Sequence, residues 1–159
     1  MSFVSFARII THRLIATEPQ YAVDVLKVRH IMVVGHLGCG GVQAALTGAR
    51  VGLADNWILH VRDALARHRT LIESFDKHGW ADVACKLNVL EQAQNVCRTT
   101  VMQDAWSRGQ RVEVHALVYS LSDGLLHSLG FNVGEAESLE PTYLSALSRI
   151  ARPTTAEQQ

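Results

Sequence analysis

The sequence carries no excess of charge, no cysteine framework and no apolar run long enough to cross a membrane. Fifteen Lys and Arg balance fifteen Asp and Glu over 159 residues, which leaves no electrostatic footprint for nucleic acid or an anionic membrane surface. Neither nucleic acid nor a membrane is an expected partner; a small molecule or a second copy of the chain is. The three cysteines, Cys39, Cys85 and Cys97, are an odd number without framework spacing. That excludes a disulfide scaffold and points to a reducing, cytoplasmic compartment. Met1 to Arg13, with Arg8, Arg13 and no acidic residue, faintly resembles a transit peptide, but it is short and runs on without a cleavage-like break. There is no internal repeat and no interior linker, so residues 1–159 read as one compact α/β domain.

What the chain does have is Val33-Val34-Gly35-His36-Leu37-Gly38-Cys39-Gly40-Gly41-Val42-Gln43-Ala44-Ala45. The apolar run Ile31 to Val34 ends at Gly35 and a helical pattern begins after Gly40-Gly41, which reads as strand, tight loop and helix N-terminus. His36 then stands at the carboxyl end of a strand and Cys39 at the mouth of a helix. The helix dipole and its unpaired N–H groups lower a thiol's pKa there. Thiolate and neutral imidazole are the donors zinc prefers, and His-x-x-Cys lets one loop supply both. Such a pair also occurs as ordinary packing, since free cysteine is among the most buried residue types.

Along the rest of the chain, residues 1–16 give no clear signal. Thr17-Glu18-Pro19 opens a helix from Pro19 to Val28 that feeds a strand from His30 to Val34. The Gly40-Gly41 helix stops near Gly48. Asp55 to Asp76 reads as a long amphipathic helix broken once, with His60 and His68 in solvated or capping roles. Trp80 to Gln103 repeats the helical pattern and places Cys85 and Cys97 in packing positions, and Met102 to Arg108 is a further short helix ended by Gly109. Val112, Val114, Ala116 and Val118 alternate with Arg111, Glu113 and His115 as a half-buried strand does. Tyr119 to Gly124 is a turn, Leu125 to Leu129 a short strand or helix, Ser138 to Ile150 a helix, and Arg152 to Gln159 a frayed tail.

Taken in order, Gly35-His36-Leu37-Gly38-Cys39-Gly40-Gly41-Val42-Gln43-Ala44-Ala45, Asn56-Trp57-Ile58-Leu59-His60-Val61-Arg62-Asp63, Leu87-Asn88-Val89-Leu90-Glu91-Gln92, Asn95-Val96-Cys97, Trp106-Ser107-Arg108-Gly109-Gln110, Val114-His115-Ala116-Leu117-Val118-Tyr119 and Asp123-Gly124-Leu125-Leu126 resemble the β-class carbonic anhydrases. The match runs from about Gln20 to Arg149. The resemblance implies a mostly parallel sheet flanked by helices, a dimer or tetramer, and a zinc enzyme interconverting carbon dioxide and bicarbonate. In that family one His and two Cys hold zinc, and His36 and Cys39 match the His-x-x-Cys half of the set. Bound zinc lowers the pKa of water to near neutrality and so supplies hydroxide to carbon dioxide. The resemblance also gives Tyr21 a place near the substrate and Tyr119 a place on a bound bicarbonate; packing on a helix face or in the core explains either tyrosine as well.

One family motif has no counterpart. The resemblance places Cys-x-Asp-x-Arg at the end of an earlier strand, its Cys as third zinc ligand and its Asp and Arg orienting the hydroxide, but no Cys precedes Cys39 and no Asp precedes Asp24. No catalytic residue is therefore identified. The expectation is a shortened or truncated member with low or no hydration activity. A remnant that binds a partner subunit or bicarbonate, and a related carbonyl sulfide or carbon disulfide hydrolase, are the alternatives. His36 and Cys39 should bring their ligand atoms within roughly 4 Å, from Zn–N near ~2.0 Å and Zn–S near ~2.3 Å. The nearly all-apolar strand His30 to Val34 suits a strand covered on both faces and paired on both edges. Without its family neighbour it would have an open edge, to be covered by residues 1–16 or by a second copy.

Overall fold

The computed structural model describes residues 3–6 and 17–152. Its centre is a sheet of four strands in the order β1-β2-β3-β4: Phe3–Phe6 (β1), His30–His36 (β2), Glu113–Tyr119 (β3) and Leu126–Val133 (β4). β1, β2 and β3 are parallel, and β4 adds to β3 antiparallel, so the expected mostly parallel sheet is present. Thr17–Gln20 (α1) runs into a π-helical turn, Tyr21–Val25, ahead of β2. Between β2 and β3 lie Gly40–Thr47 (α2), Asp55–Arg67 (α3), Arg69–Glu73 (α4), Trp80–Cys97 (α5) and Thr100–Ser107 (α6). Leu139–Ala151 (α7) follows β4.

Side-chain alternation decides which sheet face is buried. Ile31 and Val33 of β2 and Val114, Ala116 and Val118 of β3 are buried, whereas His30, Met32 and Val34 are only half-buried. Among the described residues, then, β2 is covered fully on one face and not on both, which corrects the expectation drawn from its apolar run. The buried face packs on α5, whose Leu87, Leu90, Ala93 and Cys97 are wholly buried, and on Ala146 of α7. Each such Leu contributes roughly 1.5–3 kcal/mol on burial. Gly35 permits a close approach of strand and helix: a Cβ there would lie 2.4 Å from Val89 Cγ2, so only a bare Cα lets β2 rest on α5 at this height.

The edge of β2 is not open. β1 pairs with it in register Phe3↔His30 to Phe6↔Val33. The resemblance gives this flank to the strand bearing Cys-x-Asp-x-Arg; here the flank is Phe3-Val4-Ser5-Phe6, which carries none of those ligands.

Helix boundaries moved for local reasons. The helix expected from Pro19 to Val28 begins at Thr17, passes into the π turn, and ends as Lys27 takes φ 51 on the way into β2. The Asp55 to Asp76 pattern breaks at His68. The Trp80 to Gln103 pattern stops at Cys97: Thr99 is extended, and its hydroxyl accepts the Met102 N–H to start α6, two residues ahead of the short helix expected from Met102. Leu125 to Leu129 resolves into a strand that continues to Val133. Most of the tail from Arg152 to Gln159 lies outside the described residues.

Candidate metal centre

β2 and β3 end side by side, with His36 opposite Tyr119 in the register and the Leu37 N–H donating to the Tyr119 carbonyl at 2.9 Å. Both residues stand at the carboxyl end of the parallel pair, where open α/β sheets bind their ligands. The chain turns at Gly38, φ 70, and Cys39 becomes the N-cap residue of α2 at φ −65 and ψ 118. The strand, loop and helix order read from the sequence is therefore observed, and it places His36, Cys39 and Tyr119 at one end of the sheet.

His36 is exposed, and its Nδ1 lies 3.1 Å from the Leu37 carbonyl oxygen. A proton on Nδ1 donated to that carbonyl leaves the lone pair on Nε2, the arrangement a metal-binding imidazole requires. Cys39 is half-buried and packs against the core. Gly41 lets Trp57 of α3 pack close beside Cys39: a Cβ there would meet the Trp57 ring at 2.9 Å and lie 3.7 Å from the Cys39 sulfur. Two of the donor types zinc prefers, an imidazole and a thiol, thus stand on one loop at this end of the sheet. Among the described residues, no third Cys, His or carboxylate forms a ligand group with them.

Cys85 supports this end of β2 from beneath. Its thiol donates to the His36 carbonyl at 2.9 Å. Burial first, then the nearby Cys39 and Asp82, push its pKa up to about 12, so it remains a protonated donor. Cys97 is likewise pushed up to about 12 by burial. Both are packing residues, as their helical positions implied. The positioning role of Cys85 had no signal in the spacing, because it depends on contact between elements far apart in sequence.

Tyr21 is 56% exposed on the π turn and is not among the residues that the ends of β2 and β3 bring together. That turn is fastened to the α6–β3 loop instead. Gln110 Nε2 donates to the Val23 carbonyl at 2.7 Å, Lys27 Nζ donates to Gln110 Oε1 at 3.2 Å, and Arg108 pairs with Asp24.

Two further groups were not singled out from the sequence. In the turn after β3, Asp123 accepts from the Leu125 N–H at 2.9 Å and lies 2.8 Å from His127 Nε2. The Leu125 N–H, with His127 and Ser120, outweighs desolvation and holds the Asp123 carboxyl below its ordinary range. In the sequence Asp123-Gly124 reads as a turn and as part of a family motif, with no role given to the carboxylate. The second group is buried: Glu91 of α5 accepts from Arg67, from His68 Nε2 at 2.8 Å and from the Tyr143 hydroxyl. Desolvation opposes ionisation of Glu91, but these hydrogen bonds win and lower its pKa to about 2. His68 thus sits at the helix junction but is not solvated, and His60 is half-buried on α3.

Comparison with known proteins places this geometry. A family described as carbonic anhydrase matches residues 6–126. The carbonic anhydrase of Emericella nidulans is 38% identical over 113 residues, 70% of this chain and 50% of the relative. That of Candida albicans is 32% identical over 123 residues, covering 76% and 43%. Among solved structures, a Coccomyxa β-carbonic anhydrase superposes with a TM-score of 0.72 at 34% identity, covering 76% of this chain and 55% of its own. A tetrameric β-carbonic anhydrase of Sordaria macrospora gives 0.65 at 29% identity, covering 72% and 59%. The chain spans about half the length of the curated relatives it matches. With the sheet order, the His-x-x-Cys loop at its carboxyl end and these matches in agreement, the chain belongs to the β-class carbonic anhydrase family.

Proposed function

We propose that the chain carries part of a zinc centre for interconverting carbon dioxide and bicarbonate, with His36 Nε2 and Cys39 Sγ as two of the metal ligands. The observation behind this reading is the His36 ring, held through Nδ1 on Leu37 at the end of β2, three residues before a half-buried thiol at the mouth of α2. Zinc at such a site supplies water acidified to near neutral pH. The protein's own part is to hold and orient. Cys39 stands at the mouth of α2, Cys85 fixes the His36 backbone, and Tyr119 offers a hydroxyl to bicarbonate beside His36. The resemblance alone assigns Tyr21 to the substrate; on the exposed π turn ahead of β2 it is no part of the His36–Cys39 end of this chain.

The Asp and Arg that the resemblance assigns to hydroxide orientation have no counterpart ahead of His36. The 159-residue chain by itself accordingly hydrates carbon dioxide slowly and holds zinc loosely, since two ligands retain a metal far less well than three. The tetrameric Sordaria relative supports a working form made of several copies. The composition supports a cytoplasmic setting.

Stopped-flow hydration and cobalt substitution test this. We expect rates near the uncatalysed one, and a sulfur-to-cobalt charge-transfer band that disappears in Cys39→Ser. Family-like rates abolished by Cys39→Ser would overturn the low-activity reading; a cobalt spectrum unchanged by both Cys39→Ser and His36→Gln would overturn the ligand assignment.

A further inference from the structure

At the opposite end of the same two strands, three further metal-competent side chains meet. The register pairs His30 with Glu113 and Met32 with His115, and the period-2 alternation of β3 puts Glu113 and His115 on one sheet face. His30 Nδ1 lies 3.0 Å from His115 Nε2, and Glu113 Oε2 lies 4.0 Å and 3.8 Å from those two atoms. All three donor atoms fall within 4.8 Å of one another, the one such group among the described residues.

We infer that His30, Glu113 and His115 form a second divalent-metal site, distinct from the His36–Cys39 centre and selective for first-row transition ions such as zinc. The donor triangle has sides of 3.0, 3.8 and 4.0 Å. A tetrahedral ion with bonds of about 2.0–2.2 Å needs sides of about 3.4 Å: rotamer adjustment of the exposed Glu113 draws in its two longer sides, and the two imidazoles must open by about 0.4 Å to admit the ion between them. The partner that orients the His115 ring is already in place. His115 Nδ1 lies 2.8 Å from Asn132 Oδ1 on β4, and donating its proton there leaves Nε2 as the acceptor that faces His30. Two imidazoles and one carboxylate suit zinc and its neighbours better than magnesium or calcium, which prefer all-oxygen sites. Both strands are tied along their length, so the ligands stand on rigid elements. His30 and His36 are six residues apart on one strand, about 20 Å at about 3.3 Å per residue, and no single ion reaches both.

The experiment is titration of the full, untagged 159-residue chain with zinc and with cobalt, in a Cys39→Ser background that removes the thiolate of the other centre. The expected result is one saturable equivalent at micromolar metal, with cobalt ligand-field bands and no sulfur charge-transfer band. Asn132→Ala keeps all three ligands and should weaken binding roughly tenfold. Glu113→Gln, at an exposed position that leaves the fold intact, should weaken it further, and His30→Gln with His115→Gln should abolish it. Binding only at millimolar metal, a sulfur band in the cobalt spectrum, or uptake unchanged by Glu113→Gln and the double His variant would overturn the inference. Failure of the proposed carbonic anhydrase centre would leave this result untouched, because its cobalt signature depends on Cys39.

Discussion

Glu91 shows what one buried carboxylate costs and contributes. It is 4% exposed, with Arg67, His68 and Tyr143 as partners. Removing its charge by Glu91→Gln weakens the charge-assisted hydrogen bonds that the buried carboxylate accepts from His68, Tyr143 and the half-exposed Arg67, which should destabilise the fold by about 2 kcal/mol in urea unfolding. The pH dependence has a definite sign. The folded pKa is lowered from 4.5 to about 2, so the stabilisation is complete above the unfolded value and is lost as pH falls from about 4.5 to about 2. Its size is on the order of 3 kcal/mol, and unfolding midpoints measured across that window should fall in the wild type and stay flatter in Glu91→Gln. Gly35 makes a steric counterpart. Gly35→Ala puts a Cβ 2.4 Å from Val89 Cγ2, and the forced shift should cost roughly 1–3 kcal/mol. Val89→Ala should recover part of that loss in a double-mutant cycle.

At the scale of elements, β1 is the telling one. It occupies the edge of β2 through backbone pairing from Phe3 to Phe6, and a parallel strand stripped of that neighbour presents a row of unpaired N–H and C=O groups. Deleting residues 1–6 should therefore raise concentration-dependent association, read by light scattering on a sizing column; an equally monodisperse deletion variant would mean that β1 contributes no protection. The deletion also reports on the His36 loop only indirectly, because β1 pairs with β2 no further than Val33.

For the whole molecule, one sheet face is buried under α5 and α7 while Met32, Val34 and Leu117 on the other are only half-buried. Tyr21, Val25 and Leu26 add exposed apolar surface ahead of β2. Contiguous apolar patches beyond a few hundred Å² are rare on proteins that stay monomeric. The 159-residue chain is expected to associate with copies of itself. A thermally stable monomer with no concentration dependence in light scattering would count against it.

Local chemistry was enough to read the strand His30 onward, the Gly-rich loop, the start of α2 and the alternation of β3. Each is a run of neighbours whose period or turn residues dictate a backbone state. The same locality made His36 and Cys39 legible as a pair, because only Leu37 and Gly38 separate them. Sequence could not reveal that Phe3–Phe6 would pair with β2, that β2 would be buried on one face, or that Glu91 would gather Arg67, His68 and Tyr143. Nor could it bring His30, Glu113 and His115 together. Those outcomes depend on strand register and on helices packed across long sequence separations, where burial and desolvation act on groups that only tertiary contact makes neighbours.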